Sequence, residues 1–178
     1  DVFSNGTLIA SSSGNTVNYF GAGNQTIKRS QDDTYYNLRV SGGNTKSLAA
    51  DITVLGDLTI SSIMNAANHD IWLSGDWINS GNFTQGTGTV ILNGNSDQSL
   101  SVAADPLFYN LTIDKNTGSV TLNDDIQVGN VLSMLGGNID ANGNTLTLGT
   151  GTTSPGTLSH FSGTILGKFE RWLNTSGS

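Results

Sequence analysis

The sequence contains no cysteine, and of its 14 acidic residues only Glu170 is a glutamate. The first absence removes disulfides and thiolate metal sites. Cations are scarce too: seven Lys and Arg stand against those 14 acids, giving a net charge of −7 and a pI of about 4.3. Scattered through an acidic chain, they form no basic patch, which argues against nucleic acid or an anionic membrane surface as a partner. No apolar run reaches the roughly 18 residues of a spanning helix, so no membrane insertion is expected. Charged residues make up 12% of the chain, about half the usual share. The helix formers Glu and Lys are rare, whereas glycine (23 residues), asparagine, serine and threonine abound. Such a chain is not built from helices. Its 178 residues, 35% of them hydrophobic, still suffice for one domain with a substantial core. The composition predicts an all-β protein.

What the chain does contain is an internal duplication. Asp33 to Val40 resembles Pro106 to Ile113 at an offset of 73, as Thr16-Val17 resembles Thr89-Val90 and Gln25-Thr26-Ile27 resembles Gln98-Ser99-Leu100. Further on, Ile52-Thr53-Val54 matches Ile126-Gln127-Val128, and Leu58-Thr59-Ile60 matches Leu132-Ser133-Met134, both at 74. Ile71-Trp72-Leu73 then matches Leu146-Thr147-Leu148 at 75. One module of about 74 residues therefore occurs twice.

A shorter period runs inside it. Strand-like runs begin near Thr16, Tyr36, Thr53, Ile71, Thr89, Tyr109, Gln127, Thr145 and Thr164, with turn clusters such as Ser41 to Asn44 and Gly136 to Asn138 between them. Apolar and polar residues alternate within each run. A near-constant spacing of about 18 residues is what one coil of a solenoid requires. The expectation is a right-handed parallel β-helix (solenoid) of about nine coils over 1–178, with modules at 16–88 and 89–163 and a C-terminal junction or cap at 164–178. Val54, Leu73, Ile91, Leu111, Val128 and Leu148 should stack in its interior. The competing arrangement is a pair of antiparallel β-sandwiches, but tight Asn-Gly hairpins with matching flanks are missing.

The module resembles repeats of large secreted, adhesin-like surface proteins of Bacteroidetes-type bacteria, many of them type IX secretion cargo. The resemblance rests on Gly86 to Leu92, Gln98 to Leu100, Phe108 to Ile113, Val120 to Leu122 and Gly143 to Leu148, and on the closing segment Gly167 to Thr175. It implies an extracellular or cell-surface segment, structural or adhesive, whose partners are neighbouring domains or repeats of a parent protein.

Candidate chemistry is sparse. Asp32-Asp33 and Asp124-Asp125 are the adjacent carboxylate pairs, and both are read as turn caps. His69 and His160 fall five coils apart at the expected period, too far to share a metal or a triad. No serine sits in a nucleophile elbow, and Gly21-Ala22-Gly23 has no following helix to cradle phosphate. Asp32 and Asp105 occupy equivalent module positions, each without a second set of ligands. No catalytic residue, metal or cofactor is expected. Alternation points Trp72 outward, with Trp77 following in the same coil and Tyr19, Tyr35 and Phe108 also facing out. Trp72 and Trp77 are accordingly the candidate carbohydrate-binding pair, for surface glycans. A β-helix enzyme acting on polysaccharide would need clustered Asp with a nearby Arg or Lys in a groove. End-to-end self-association is the remaining partner expectation, since a solenoid leaves unpaired backbone at its ends.

Overall fold

A computed structural model of the chain describes residues 8–30, 32–102 and 107–174. It is a parallel β-solenoid with three faces and no helix among the described residues. Seven rungs stack on the first face: Thr34–Tyr35, Ile52–Val54, Ile71–Leu73, Thr89–Leu92, the leading parts of Leu107–Leu122 and Ile126–Leu148, and Thr157–His160. The second face begins Thr16–Tyr19, Asn37–Val40, Leu58–Ile60, Trp77–Asn79 and Gln98–Val102. The third begins Gln25–Ile27, Thr45–Leu48, Ile63–Asn65 and Asn82–Thr84. Every pairing between these strands is parallel, which excludes the sandwich.

Register explains the core. One inward column of the first face runs Tyr35, Val54, Leu73, Leu92, Ile113 and Met134. A second runs Ile52, Ile71, Val90, Leu111 and Leu132, two residues earlier on each strand. All of these are buried. Between them, Thr34, Thr53, Trp72, Ile91, Thr112, Ser133 and Ser159 form the outward column, because side chains alternate along a strand.

The turn is longer than the sequence spacing suggested. From Tyr35 to His160, six steps along one column span 125 residues, a period near 21 and about seven turns rather than nine coils of 18. The cause is that each turn holds three strand-like runs of similar composition. The run at Thr16 lies on the second face and that at Ile71 on the first, while Thr145 pairs with Lys168 beyond the second-face step Ile139 to Ile165. Stepping by 18 thus slips from face to face and counts extra turns. The same slip affects the expected stack. Val54 and Leu73 are register partners, but Leu73 pairs with Leu92, and Ile91 sits in the outward column beside Trp72 although it is buried. Leu111 follows Val90, whereas Phe108 pairs with Val128.

The duplication is likewise not a whole number of turns. Thr16-Val17 is on the second face and its copy Thr89-Val90 on the first; Gln25 to Ile27 is on the third and its copy Gln98 to Leu100 on the second. The copy is reached after three full turns and two further faces. The sequence module therefore advances around the solenoid as well as along it.

Asp and Asn hold the corners. The side-chain oxygens of Asn37, Asp57 and Asp76 accept, in succession, the backbone N–H of Asp57, Asp76 and Ser99, at 2.8–2.9 Å. At another corner Asp51 accepts from Asp70 N (3.0 Å) and Asp70 from Thr89 N (2.7 Å). Asp97, Asp124 and Asp125 do the same for Ser119, Val102 and Thr145. Rungs are about 4.8 Å apart, a gap that a one-methylene carboxylate bridges while hugging the backbone. That reach accounts for the preference for aspartate over glutamate. Close approach also fixes Gly75, where a Cβ would stand 2.4 Å from the Gly56 carbonyl carbon.

Candidate functional site

The structure separates the two tryptophans. Trp72 points outward and is half-buried, as alternation predicts. Trp77 is 1% exposed and lies inside, in the column Leu38, Leu58, Trp77, Leu100. Its ring meets Phe83 edge-on at 4.8 Å and Phe108 at 5.2 Å. Trp77 is thus a core residue, and the Trp72–Trp77 platform is not formed. The corner Ser74 to Asp76 lies between two faces, so the phase of alternation restarts at Trp77. Tyr19, Tyr35 and Phe108, expected outside, are buried for the same reason.

An open groove of ≈ 400 Å³ surrounds Trp72. Three successive corners between the third and first faces supply its other walls: Arg29 and Asp33, then Ala49 to Asp51, then His69. Asp33 adopts a left-handed backbone (φ 57°), a conformation to which short polar side chains are suited, and its carboxylate takes both Arg29 nitrogens Nε and Nη2. That guanidinium holds the Asp33 carboxyl below the usual carboxylate range, and the carboxylate in turn raises Arg29. On the opposite side Asp51 Oδ1 lies 3.1 Å from His69 Nδ1 and also accepts the Asp70 N–H. The next corner turns through Ala67 (φ 51°) and Asn68 (φ 70°), which places His69 one rung above Asp51. The Arg29 charge is matched by Asp33 and the Asp51 carboxylate faces the His69 ring, so the groove presents donors and acceptors with no unpaired cation among its lining residues.

Sequence reasoning identified Trp72 here but not its neighbours. Asp51 and His69 are 18 residues apart, one turn in this part of the chain, and that spacing was the available signal. Of the two carboxylate pairs, Asp32 does cap a turn, accepting from Ser30 Oγ and Thr34 N. Asp124 and Asp125 accept backbone N–H groups of the neighbouring turns. His69 and His160 stand four rungs apart on the first face, from the Leu73 rung to the Met134 partner, rather than five. Asp105 lies outside the described residues. Among the described residues, no group of three or more His, Asp or Glu side chains converges as metal ligands would.

The chain matches no family model, no curated protein and no solved structure.

Two buried lysines are the other polar feature. Lys46 Nζ donates to the carbonyls of Gly21 (2.9 Å), Gly23 (3.0 Å) and Gly43. Lys115 Nζ donates to Gly94 O (2.7 Å), Ser96 O (2.8 Å) and Gln98 Oε1 (2.7 Å). Gly21, Gly23 and Gln25 correspond to Gly94, Ser96 and Gln98 at the repeat offset of 73, so both cations fill one kind of corner. The Gly21-Ala22-Gly23 corner, considered for phosphate, turns its carbonyls inward to an ammonium. These lysines staple one turn to the next.

Proposed function

We propose that the chain is a rigid, non-catalytic spacer or presenting segment of an extracellular or cell-surface protein, a right-handed solenoid as crossover connections in one sheet almost always are. The observation that carries this reading is the unbroken stacking: apolar columns run through the first face from Tyr35 to Met134, and corner carboxylates tie rung to rung. Each turn contacts its neighbours along one axis, which resists bending as separate domains on linkers do not. Asp57, Asp70, Asp76 and Asp125 are engaged as backbone acceptors, and Asp33 is ion-paired with Arg29. A general acid needs a proton at working pH, and Asp33 is pushed the other way. Surface location is supported by the repeat resemblance and the low charge.

The absence of cysteine makes a direct test simple. Spin labels at Thr26→Cys and Ser159→Cys, both exposed and near opposite ends, report their separation by pulsed electron resonance. A single narrow distance distribution is expected. A broad or multimodal one would show that the segment bends and is no spacer.

A further inference from the structure

We propose that the groove around Trp72 is a binding site for a neutral saccharide. The duplicated sequence supplies an internal control. The core of the two copies agrees, with Ile52 and Val54 answering to Ile126 and Val128, and Leu73 to Leu148, all buried. The groove does not agree. At the same offsets Arg29 corresponds to Val102, Asp33 to Pro106 and Trp72 to Thr147, and His69 falls at Gly143 or Asn144. Only Asp51 has a like partner, Asp125, and both cap a neighbouring turn. The scaffold is thus built a second time without the arginine, the tryptophan and the histidine. In the outward column Trp72 stands between Thr53 and Ile91, with only threonine and serine at the other positions, so a large half-exposed aromatic there is not required by the fold.

The chemistry of these groups selects the ligand. An indole face stacks on the C–H face of a sugar ring. Around it, Arg29 offers N–H donors, Asp33 and Asp51 offer acceptors, and His69 turns one ring nitrogen to Asp51 and keeps the other for a ligand, as a ring of hydroxyls requires. The Arg29 charge is already paired with Asp33, and Asp51 places a further carboxylate beside His69, so an anionic sugar or phosphate gains no unpaired cation. A volume of ≈ 400 Å³ is within the range of small-ligand sites, and the open form suits part of a longer chain. This site is independent of the spacer reading; a spacer without it would still be a spacer.

The test uses the intact chain and the hexasaccharides of cellulose, xylan, mannan, starch and chitin, with hexagalacturonate as the anionic comparison, followed by calorimetry. Trp72→Thr is the informative variant, because Thr53 and Thr112 already occupy the same column and the change leaves the fold in place. At least one neutral hexasaccharide should bind, with affinity falling tenfold or more in Trp72→Thr and in Arg29→Ala, while circular dichroism stays unchanged. Failure of every neutral probe to bind overturns the site. So does binding that Trp72→Thr leaves intact, or tighter binding of hexagalacturonate than of any neutral chain.

Discussion

The hydroxyl oxygens of Tyr19 and Tyr35 lie 3.2 Å apart inside the solenoid and together clamp the backbone of Lys28. Lys28 N–H donates to Tyr19 Oη (2.9 Å), and Tyr35 donates to the Lys28 carbonyl, which leaves the Tyr19 proton for Tyr35. Burial, then the bond to Tyr19, raises the Tyr35 phenol far above its ordinary value of 10. The folded state therefore keeps a proton that the unfolded chain releases near pH 10. Stability from this group is complete below pH 10 and falls above it, by up to about 1.4 kcal/mol per pH unit. Urea midpoints measured from pH 8 to 11 should show that decline. Tyr35→Phe should lower stability at pH 8 by about 1–2 kcal/mol yet flatten the alkaline slope; an unchanged slope would refute the assignment.

Lys115 is 3% exposed, and burial lowers its pKa. Removing its ammonium strands the carbonyls of Gly94 and Ser96 in the interior. Lys115→Met keeps the stem and loses the three bonds, so it should destabilise by about 2–4 kcal/mol in urea unfolding. An exposed lysine such as Lys168, changed to methionine, should cost less than about 0.5 kcal/mol. Equal effects would mean that the corner does not depend on the cation.

How far the fold was legible follows from what sets each feature. Alternation has a period of two, is local, and placed Trp72, Leu73 and Val54 correctly. The parallel solenoid was legible because nothing else repeats strand-like runs so evenly. The length of a turn was not, since three similar runs per turn let the count drift, and rungs range from 18 residues (Lys46 to Met64) to 26 (Leu132 to Leu158). Corner residues reset the phase of alternation, which misplaced Trp77, Tyr35 and Phe108. The groove depends on both unknowns at once. Arg29, Asp51 and His69 meet only if three consecutive corners are in phase, and no local pattern states that. The Asp bias, by contrast, was visible in composition before its cause, the bond from one corner to the next, was known.

Trp77 and Trp72 should behave oppositely under mutation. Trp77→Ala opens a cavity beside Phe83 and Phe108 and should cost about 3–5 kcal/mol. Trp72→Thr should change stability by less than about 1 kcal/mol, since threonine precedes it in the column at Thr53. Thermal melts of both variants decide the matter; a large loss in Trp72→Thr would make it a structural residue.

The outermost rung among the described residues carries charge at two positions where its partner strand has none. Thr145 and Thr147 pair with Lys168 and Glu170 of Ile165–Arg171, which are ion-paired at 2.8 Å. Inward, the columns continue: Ile139 meets Ile165 and Leu146 meets Phe169, both only partly buried. A parallel edge with a continuing apolar interior is a template for another rung, and charged side chains on an edge strand discourage such addition. Changing Lys168 and Glu170 together to threonine copies the preceding rung onto the last one and removes that block. The double variant should associate end to end, so that its mass in light scattering rises with concentration while the unaltered chain's stays lower at the same concentrations. Lys168→Arg with Glu170→Asp keeps both charges and should behave as the unaltered chain does. If the double threonine variant shows no more association than the charge-preserving one, the pair at 168 and 170 does not guard this edge.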